Sequence, residues 1–159
     1  MRRTDRAIEG TDDILAVLDG CEIIRIGLSA DDRPYIVPMN FAYETVDGKI
    51  FIYLHCAREG RKLDMIARNS SVCFEADRSY RTVKADTACR WTAEFRSVMG
   101  EGIVNAVTDD AERVRAMDML MHRYGFEGIP QYTAQALAAV TVLRISVSSM
   151  TGKQHLVKA

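Results

Sequence analysis

His55, Gly60, Arg61 and Lys62 fall close together in the stretch KIFIYLHCAREGRKLDMIARNSSVCFEAD, residues 49–77, where an alternating apolar run gives way to a helical pattern. An imidazole, a glycine and two cations ahead of a helix make an anion site. The first N–H groups of a helix lack partners within it, the helix dipole is positive at that end, and a glycine lets backbone approach a ligand. A phosphate suits such a junction. The same charges admit a plainer reading, in which Arg61 and Lys62 beside Glu59 and Asp64 form a solvated helix face with i,i+3 pairs.

Other reactive residue types are sparse. Cys21, Cys56, Cys73 and Cys89 contain no C-x-x-C pair, so they read as reduced structural thiols and not as a zinc ribbon or a dithiol redox motif. His55, His122 and His155 show no metal-ligand spacing, and no bound metal is expected. Cys56 next to His55 suggests a nucleophile and base, but neighbours on a strand point to opposite faces. Trp91 reads as a plug for one end of the fold or a stacking surface, and Met117, Met119 and Met121 as core or partner-facing helix residues. Lys153 and His155, near the C-terminus, are further candidates to reach a bound ligand.

The composition restricts what this chemistry can serve. With 159 residues, 48% of them hydrophobic, residues 1–159 read as a single domain with a real core. Lys and Arg number 21 against 22 Asp and Glu, for a net charge of -1, so no global basic field favours nucleic acid. The longest uncharged apolar-rich run, residues 133–143, is short of the roughly 20 residues a spanning helix needs. Acidic residues follow Arg2 and Arg3 where a signal peptide would be apolar. The expectation is a cytoplasmic protein without membrane or nucleic-acid partners.

The elements that must position the junction follow from pattern. Thr11-Asp12-Asp13 caps a short helix that stops at Gly20. Residues 22–28 read as a strand, 31–34 as a turn and 35–44 as a second strand; Asp47-Gly48 makes a tight hairpin into a third, 50–54. The helix after the junction turns Leu63, Ile66 and Ala67 inward and ends near Asn69, before a strand over 72–76. Residues 77–90 show no period and read as a surface loop or an irregular hairpin. A strand resumes over 91–107, where Gly100 and Gly102 mark a bulge or a close backbone approach. Thr108-Asp109-Asp110 caps a helix ending at Gly125, residues 135–139 make a helical turn, and 140–147 a last strand. Six strands with marginal helices predict a mainly β fold, a small antiparallel barrel with peripheral helices, against the alternative of an open sandwich. So small a barrel fills with its own side chains, and a sizeable ligand must lie at a rim or between subunits.

Five blocks carry a family resemblance: MRRTDR, PYIVPMNFAYE, IFIYLHCAREGRKLDMIARNSSVCFEAD, RSVMGEG and SSMTGKQ. Together they resemble the FMN-binding split barrels related to pyridoxamine 5′-phosphate oxidase, most closely the nitroimidazole-resistance (Nim-type) branch. The third block is the most specific. The resemblance implies a six-stranded split barrel with FMN at the interface of a homodimer. It places Val37, Pro38, Met39 and Asn40 at the isoalloxazine ring, His55, Arg61 and Lys62 around the 5′-phosphate, and Ser97 and Val98 on a strand reaching the flavin from the neighbouring subunit.

That assignment is chemically sensible. FMN phosphate is close to a dianion at neutral pH, and two cations at a helix start offset it through charge-assisted hydrogen bonds. Pro38 and Met39 would pack the flat ring, and N–H groups of Met39 or Asn40 would bond its heteroatoms. The end of the chain, TGKQHLVKA, lacks the arginine cluster with which the oxidase holds its substrate phosphate. The resemblance therefore implies a flavin reductase that passes electrons from NAD(P)H or another donor to a small electron-poor acceptor such as a nitro compound, with His55 as a candidate proton donor. The alternatives are a non-catalytic flavin- or haem-binding split barrel and a pyridoxamine 5′-phosphate oxidase-like oxidase.

Overall fold

The computed structural model describes residues 3–157. After a short 3-10 turn, the chain forms β1 (Ala7–Ile8), α1 (Thr11–Asp19), β2 (Ile24–Ala30), β3 (Arg33–Met39), β4 (Ala42–Val46), β5 (Lys49–Ala57) and α2 (Arg61–Arg68). It continues through β6 (Ser71–Val83), β7 (Thr92–Ala106), α3 (Asp110–Arg123), α4 (Ala134–Ala138) and β8 (Val140–His155). All ladders are antiparallel, in the order β3-β2-β6-β7-β8-β5-β4, with β1 added beside β8.

Two hairpins start this sheet, and each is set by residues that tolerate positive φ. Asp31 and Asp32 have φ of 51° and 57°, and Asp47 and Gly48 have 51° and 74°. Positive φ at both central residues is the signature of the turn that matches strand twist. Tight turning at Asp31-Asp32 lets β3 begin at Arg33, earlier than the expected residue 35.

The expected second strand is broken, and this is one reason the sheet has eight strands and not six. Between Met39 and Ala42 the chain leaves the ladder so that Phe41 can sink into the core, fully buried. Its N–H donates to the Tyr124 hydroxyl at 3.1 Å, which in turn donates to the Glu22 carbonyl. The Arg123 guanidinium lies 4.2 Å from the Phe41 ring centroid and donates to the Leu18 and Cys21 carbonyls at 2.6 and 2.8 Å. One cation thus satisfies carbonyls at the end of α1 while covering an aromatic face. Tyr124→Phe strands the buried Phe41 N–H, and unfolding in urea should show a loss of about 1–3 kcal/mol with an unchanged m value.

β3 and β4, the two ends of the hydrogen-bonded path, are joined only by Asn40 and Phe41, so the edges of the sheet meet at this corner. No ladder links them among the described residues. The expected mainly β antiparallel fold is found, without a hydrogen-bonded seam between its two end strands among the described residues.

Strand alternation divides the core. Ile52, Leu54 and Cys56 of β5 face a large cluster with Ile24, Phe74, Val98 and Ile145. Tyr53, one residue out of step, faces a second cluster under α3 with Ala116, Met117 and Leu120. There its hydroxyl lies 2.8 Å from both Glu44 and Glu112, whose charges are answered by Arg115 and Arg144. Burial and the two carboxylates push the Tyr53 phenol well above its ordinary pKa, so it stays protonated as a donor.

The segment expected to be loop or irregular hairpin is mostly strand. β6 and β7 pair from Ser71↔Ile103 out to Val83↔Thr92, with a register shift between Ser79 and Arg81. Gly100 and Gly102 satisfy both expectations for them. A bulge falls between Glu101 and Gly102, and the ring of Phe74 lies across Gly100.

Candidate functional site

β5 and α2 create the junction, but His55 belongs to the strand and not to the loop. The β4–β5 ladder stops at Ala42↔Tyr53, while β5 stays paired to β8 as far as Ala57↔Val140. His55 thus begins a stretch of β5 that β4 no longer covers. Counting alternate pairs from the Asp47-Gly48 turn puts the His55 main-chain N–H and C=O on that uncovered side.

Three residues after Ala57, Gly60 begins α2 with φ of 132° and ψ of 166°, where nothing would crowd an added side chain. The glycine is needed for its backbone angle. Its carbonyl accepts from the Leu63 and Asp64 N–H groups at 2.8 and 3.2 Å. The N–H groups of Arg61 and Lys62 precede the first intrahelical bond and are available to an anion. Met65 buries the helix against the core together with the half-buried Leu63 and Ile66; Ala67, expected to face inward, is exposed.

His55 and Lys62 come together here. Burial holds the His55 imidazole below its ordinary pKa, and the Lys62 charge adds to that effect. Burial raises the neighbouring Cys56 thiol, with Lys62 opposing it. Cys56 faces the core while His55 lies on the Tyr53 face, so the strand separates the two side chains. The Nδ1 of His55 is buried without a hydrogen-bond partner. A buried polar atom without a partner is costly, and one that feels the Lys62 charge, on a strand leading into an uncapped helix start, suits an anionic ligand group.

The remaining expected site residues separate into those on the outer face and those turned inward. On β3, Val37 packs against the core, Pro38 is exposed and Met39 is buried. Pro38 and Met39 therefore cannot both lie against one ring, as expected from sequence, because strand neighbours face opposite ways. Pro38 cannot donate to Arg25 opposite it, so the pairs Ile26↔Val37 and Ile24↔Met39 carry the hydrogen bonds to β2. The Met39 N–H is thereby used, and Asn40 keeps the free one.

Arg61 diverges from Lys62. Its guanidinium lies 4.4 Å above the Tyr35 ring, over the β2–β3 hairpin, so the expected two-cation clamp becomes one cation at His55 and another at Tyr35. On β7, Val98 is fully buried and Ser97 half-buried. β8 measures their distance from the junction: His55 pairs with Val142, and Ser97 with Lys153. That is a contour of roughly 36 Å at strand spacing. Sequence reading missed Tyr35, Arg33 and Arg68, which an Asp-Asp turn followed by Arg33 and a helix closing on Arg68 could have suggested.

The family model for pyridoxamine 5′-phosphate oxidase matches residues 10–154. The chain belongs to the pyridoxamine 5′-phosphate oxidase-like family. A solved member, a candidate 5-nitroimidazole antibiotic resistance protein from Bacteroides thetaiotaomicron, is 30% identical with a TM-score of 0.81; the match covers 93% of this chain and 86% of that one. A flavocytochrome from Azotobacter vinelandii (21% identical, TM-score 0.78, 99% of this chain and 72% of that one) has the same fold. So does an FAD and haem binding protein from Mycobacterium smegmatis (20%, 0.78, 94% and 73%). No curated protein sequence matches. Membership in a flavin-binding family agrees with the β5–α2 junction, where Lys62, the His55 Nδ1 and the free N–H groups are chemically suited to the phosphate end of a flavin.

Among the described residues no helix is long and apolar enough to cross a membrane. All four cysteines are free thiols, with Cys21 and Cys56 buried and Cys73 and Cys89 exposed.

Proposed function

We propose that this chain is an FMN-dependent oxidoreductase of the nitroreductase kind, passing electrons from NAD(P)H to a small electron-poor acceptor in the cytoplasm. The observation that carries the reading is the buried, unpartnered Nδ1 of His55, on the strand that leads into α2 and under the influence of the Lys62 charge, in a chain of this family. Flavin, when bound, supplies two-electron transfer between donor and acceptor. The chain's own part is to bind and orient. Lys62 and the N–H groups of Arg61 and Lys62 hold the phosphate, the Asn40 N–H bonds a ring heteroatom, and Pro38 covers an apolar face. His55, with its depressed pKa, is neutral at pH 7 and offers hydrogen bonding without adding charge.

The working unit is proposed as a homodimer with the flavin between subunits. Two features support this. His55 and Ser97 pair with β8 eleven residues apart, at Val142 and Lys153, an arrangement in keeping with Ser97 serving the site of the other copy. The outer side of the sheet exposes Ile36 at 68%, Met99 at 59% and Ile103 at 42%, apolar side chains that a partner would cover.

The purified protein, examined by visible absorption and analytical ultracentrifugation together, tests this. A dimer with flavin bands that bleach on adding NADH or NADPH, and recover with a nitroaromatic acceptor, is the expected result. A Soret band with no flavin would replace the reading with haem binding; a flavin-saturated monomer would remove the role given to Ser97.

A further inference from the structure

Past the body of the sheet, β6 and β7 continue as a two-stranded arm. The β2–β6 ladder reaches only Arg25↔Glu75 and the β7–β8 ladder only Phe95↔His155, whereas β6 and β7 stay paired out to Val83↔Thr92. From Phe95 to Thr92 that is roughly 10 Å of ribbon with both edges open among the described residues, followed by a tip over residues 84–91. An isolated ribbon is marginal in water, and side chains stiffen this one. Arg81 pairs with Glu94 at 2.7 Å, and the Val157 N–H donates to the same carboxylate at 2.9 Å. The guanidinium groups of Arg78 and Arg96 lie 5.3 and 5.9 Å from the Tyr80 ring centroid. At the tip the Trp91 indole N–H donates to the Ala85 carbonyl at 2.8 Å, with the Lys84 ammonium 5.8 Å from the ring centroid. Trp91 therefore closes no end of the fold; it and Tyr80 are 49% and 45% exposed and belong to neither core cluster.

Two large rings held in place and left open are what a protein interface uses as anchors, because little freedom remains to be lost when they dock. Charge selects the partner. Residues 78–96 carry five cations against Asp86 and Glu94, a net charge of +3 within a chain of -1, so the rest of the chain stands at -4. On that remainder Glu9, Asp12 and Asp13, around the start of α1, are exposed and have no cation partner among the described residues; at the tip of the arm Lys84 and Arg90 have no carboxylate partner. We infer that the arm clasps a second copy of this chain, with Tyr80 and Trp91 as anchors and Lys84 and Arg90 seated on the acidic start of α1 in that copy. The inference rests on the homodimer proposed above and adds how its two copies hold each other. Ser97, given there to the other copy's site, stands at the base of the same arm, opposite Asp77.

Sedimentation equilibrium of the full-length protein, with and without FMN, measures the effect. Trp91→Ala should weaken dimerisation by about tenfold or more, and Tyr80→Ala should act in the same direction. Both side chains lie outside the core, so circular dichroism of the variants should remain that of the wild type. Arg90→Glu should weaken the dimer at low salt, and Asp12→Lys in the same chain should restore part of the loss. Both charge effects should fade at about 1 M salt, where screening acts beyond roughly 3 Å. Trp91 is the only tryptophan, so its emission reports on the arm directly: without FMN, acrylamide should quench it less in the dimer than in the diluted monomer. A stable dimer whose dissociation constant is unchanged by Trp91→Ala, Tyr80→Ala and Arg90→Glu overturns the arm and leaves the dimer standing. A wild type that sediments as a monomer at every concentration overturns both. Failure of the flavin reading is seen separately, as absence of FMN binding by a protein whose dimerisation still responds to these variants.

Discussion

Lys62→Ala lowers FMN affinity by about 1.5–3 kcal/mol, the range for hydrogen bonds to charged groups, and leaves riboflavin affinity nearly unchanged. Riboflavin has no phosphate and so nothing for Lys62 to hold. The structure sharpens the contrast between Lys62 and its neighbour. Arg61 is engaged with Tyr35 at 4.4 Å, and burial disfavours a charge on His55, so at the His55 end of the junction the phosphate depends chiefly on Lys62 and backbone N–H groups. Fluorescence titration of both flavins measures the effect. Equal losses for the two ligands would show that the lysine supports the fold or the ring and not the phosphate. The variant carries an internal control: His55 should titrate nearer its ordinary pKa, and only part of the way, because burial is the larger cause of its depression and remains.

Gly100→Val should cost about 3 kcal/mol or more of stability. A Cβ at this position would stand 2.3 Å from the Phe74 ring and 2.6 Å from the Ser149 carbonyl oxygen. Phe74 is 1% exposed and fixed in the core, so the ring has nowhere to go. The strands on both sides of β7 are in register at this residue, Gly100↔Phe74 and Gly100↔Met150, so the backbone cannot yield without opening two ladders. Urea unfolding measures it. A stability within error of the wild type would mean that β7 and β8 separate easily, and would place the bulge at Glu101 and Gly102 in doubt as a fixed feature.

The parts of this fold that were legible in the sequence are those governed by neighbours in the chain. Asp47-Gly48 announced a hairpin because its residues tolerate positive φ, and Asp109 announced a helix because its carboxylate can accept the Glu112 N–H, as it does at 2.7 Å. The break between β3 and β4 was not legible. It depends on Tyr124 and Arg123, some eighty residues away in sequence, taking the N–H and the ring face of Phe41. The length of β6 and β8 was hidden for a similar reason: polar residues 77–83 and 148–155 look like loop, but each is paired to β7. At the site, the glycine, His55 and Lys62 were readable because their spacing is local. The divergence of Arg61 toward Tyr35 was not, since it needs the β2–β3 hairpin alongside α2.

The prolines of β3 have one more consequence. Residues 33, 35, 37 and 39 point their main-chain groups at β2, leaving residues 34, 36 and 38 along the open rim. Two of those three are proline, so Ile36 offers the sole N–H of that rim. An incoming strand would meet carbonyls with almost nothing to donate in return, and growth of an intermolecular sheet at this margin is blocked. Ile36, an apolar side chain left largely open to solvent, can thus sit on a strand edge without seeding fibrils.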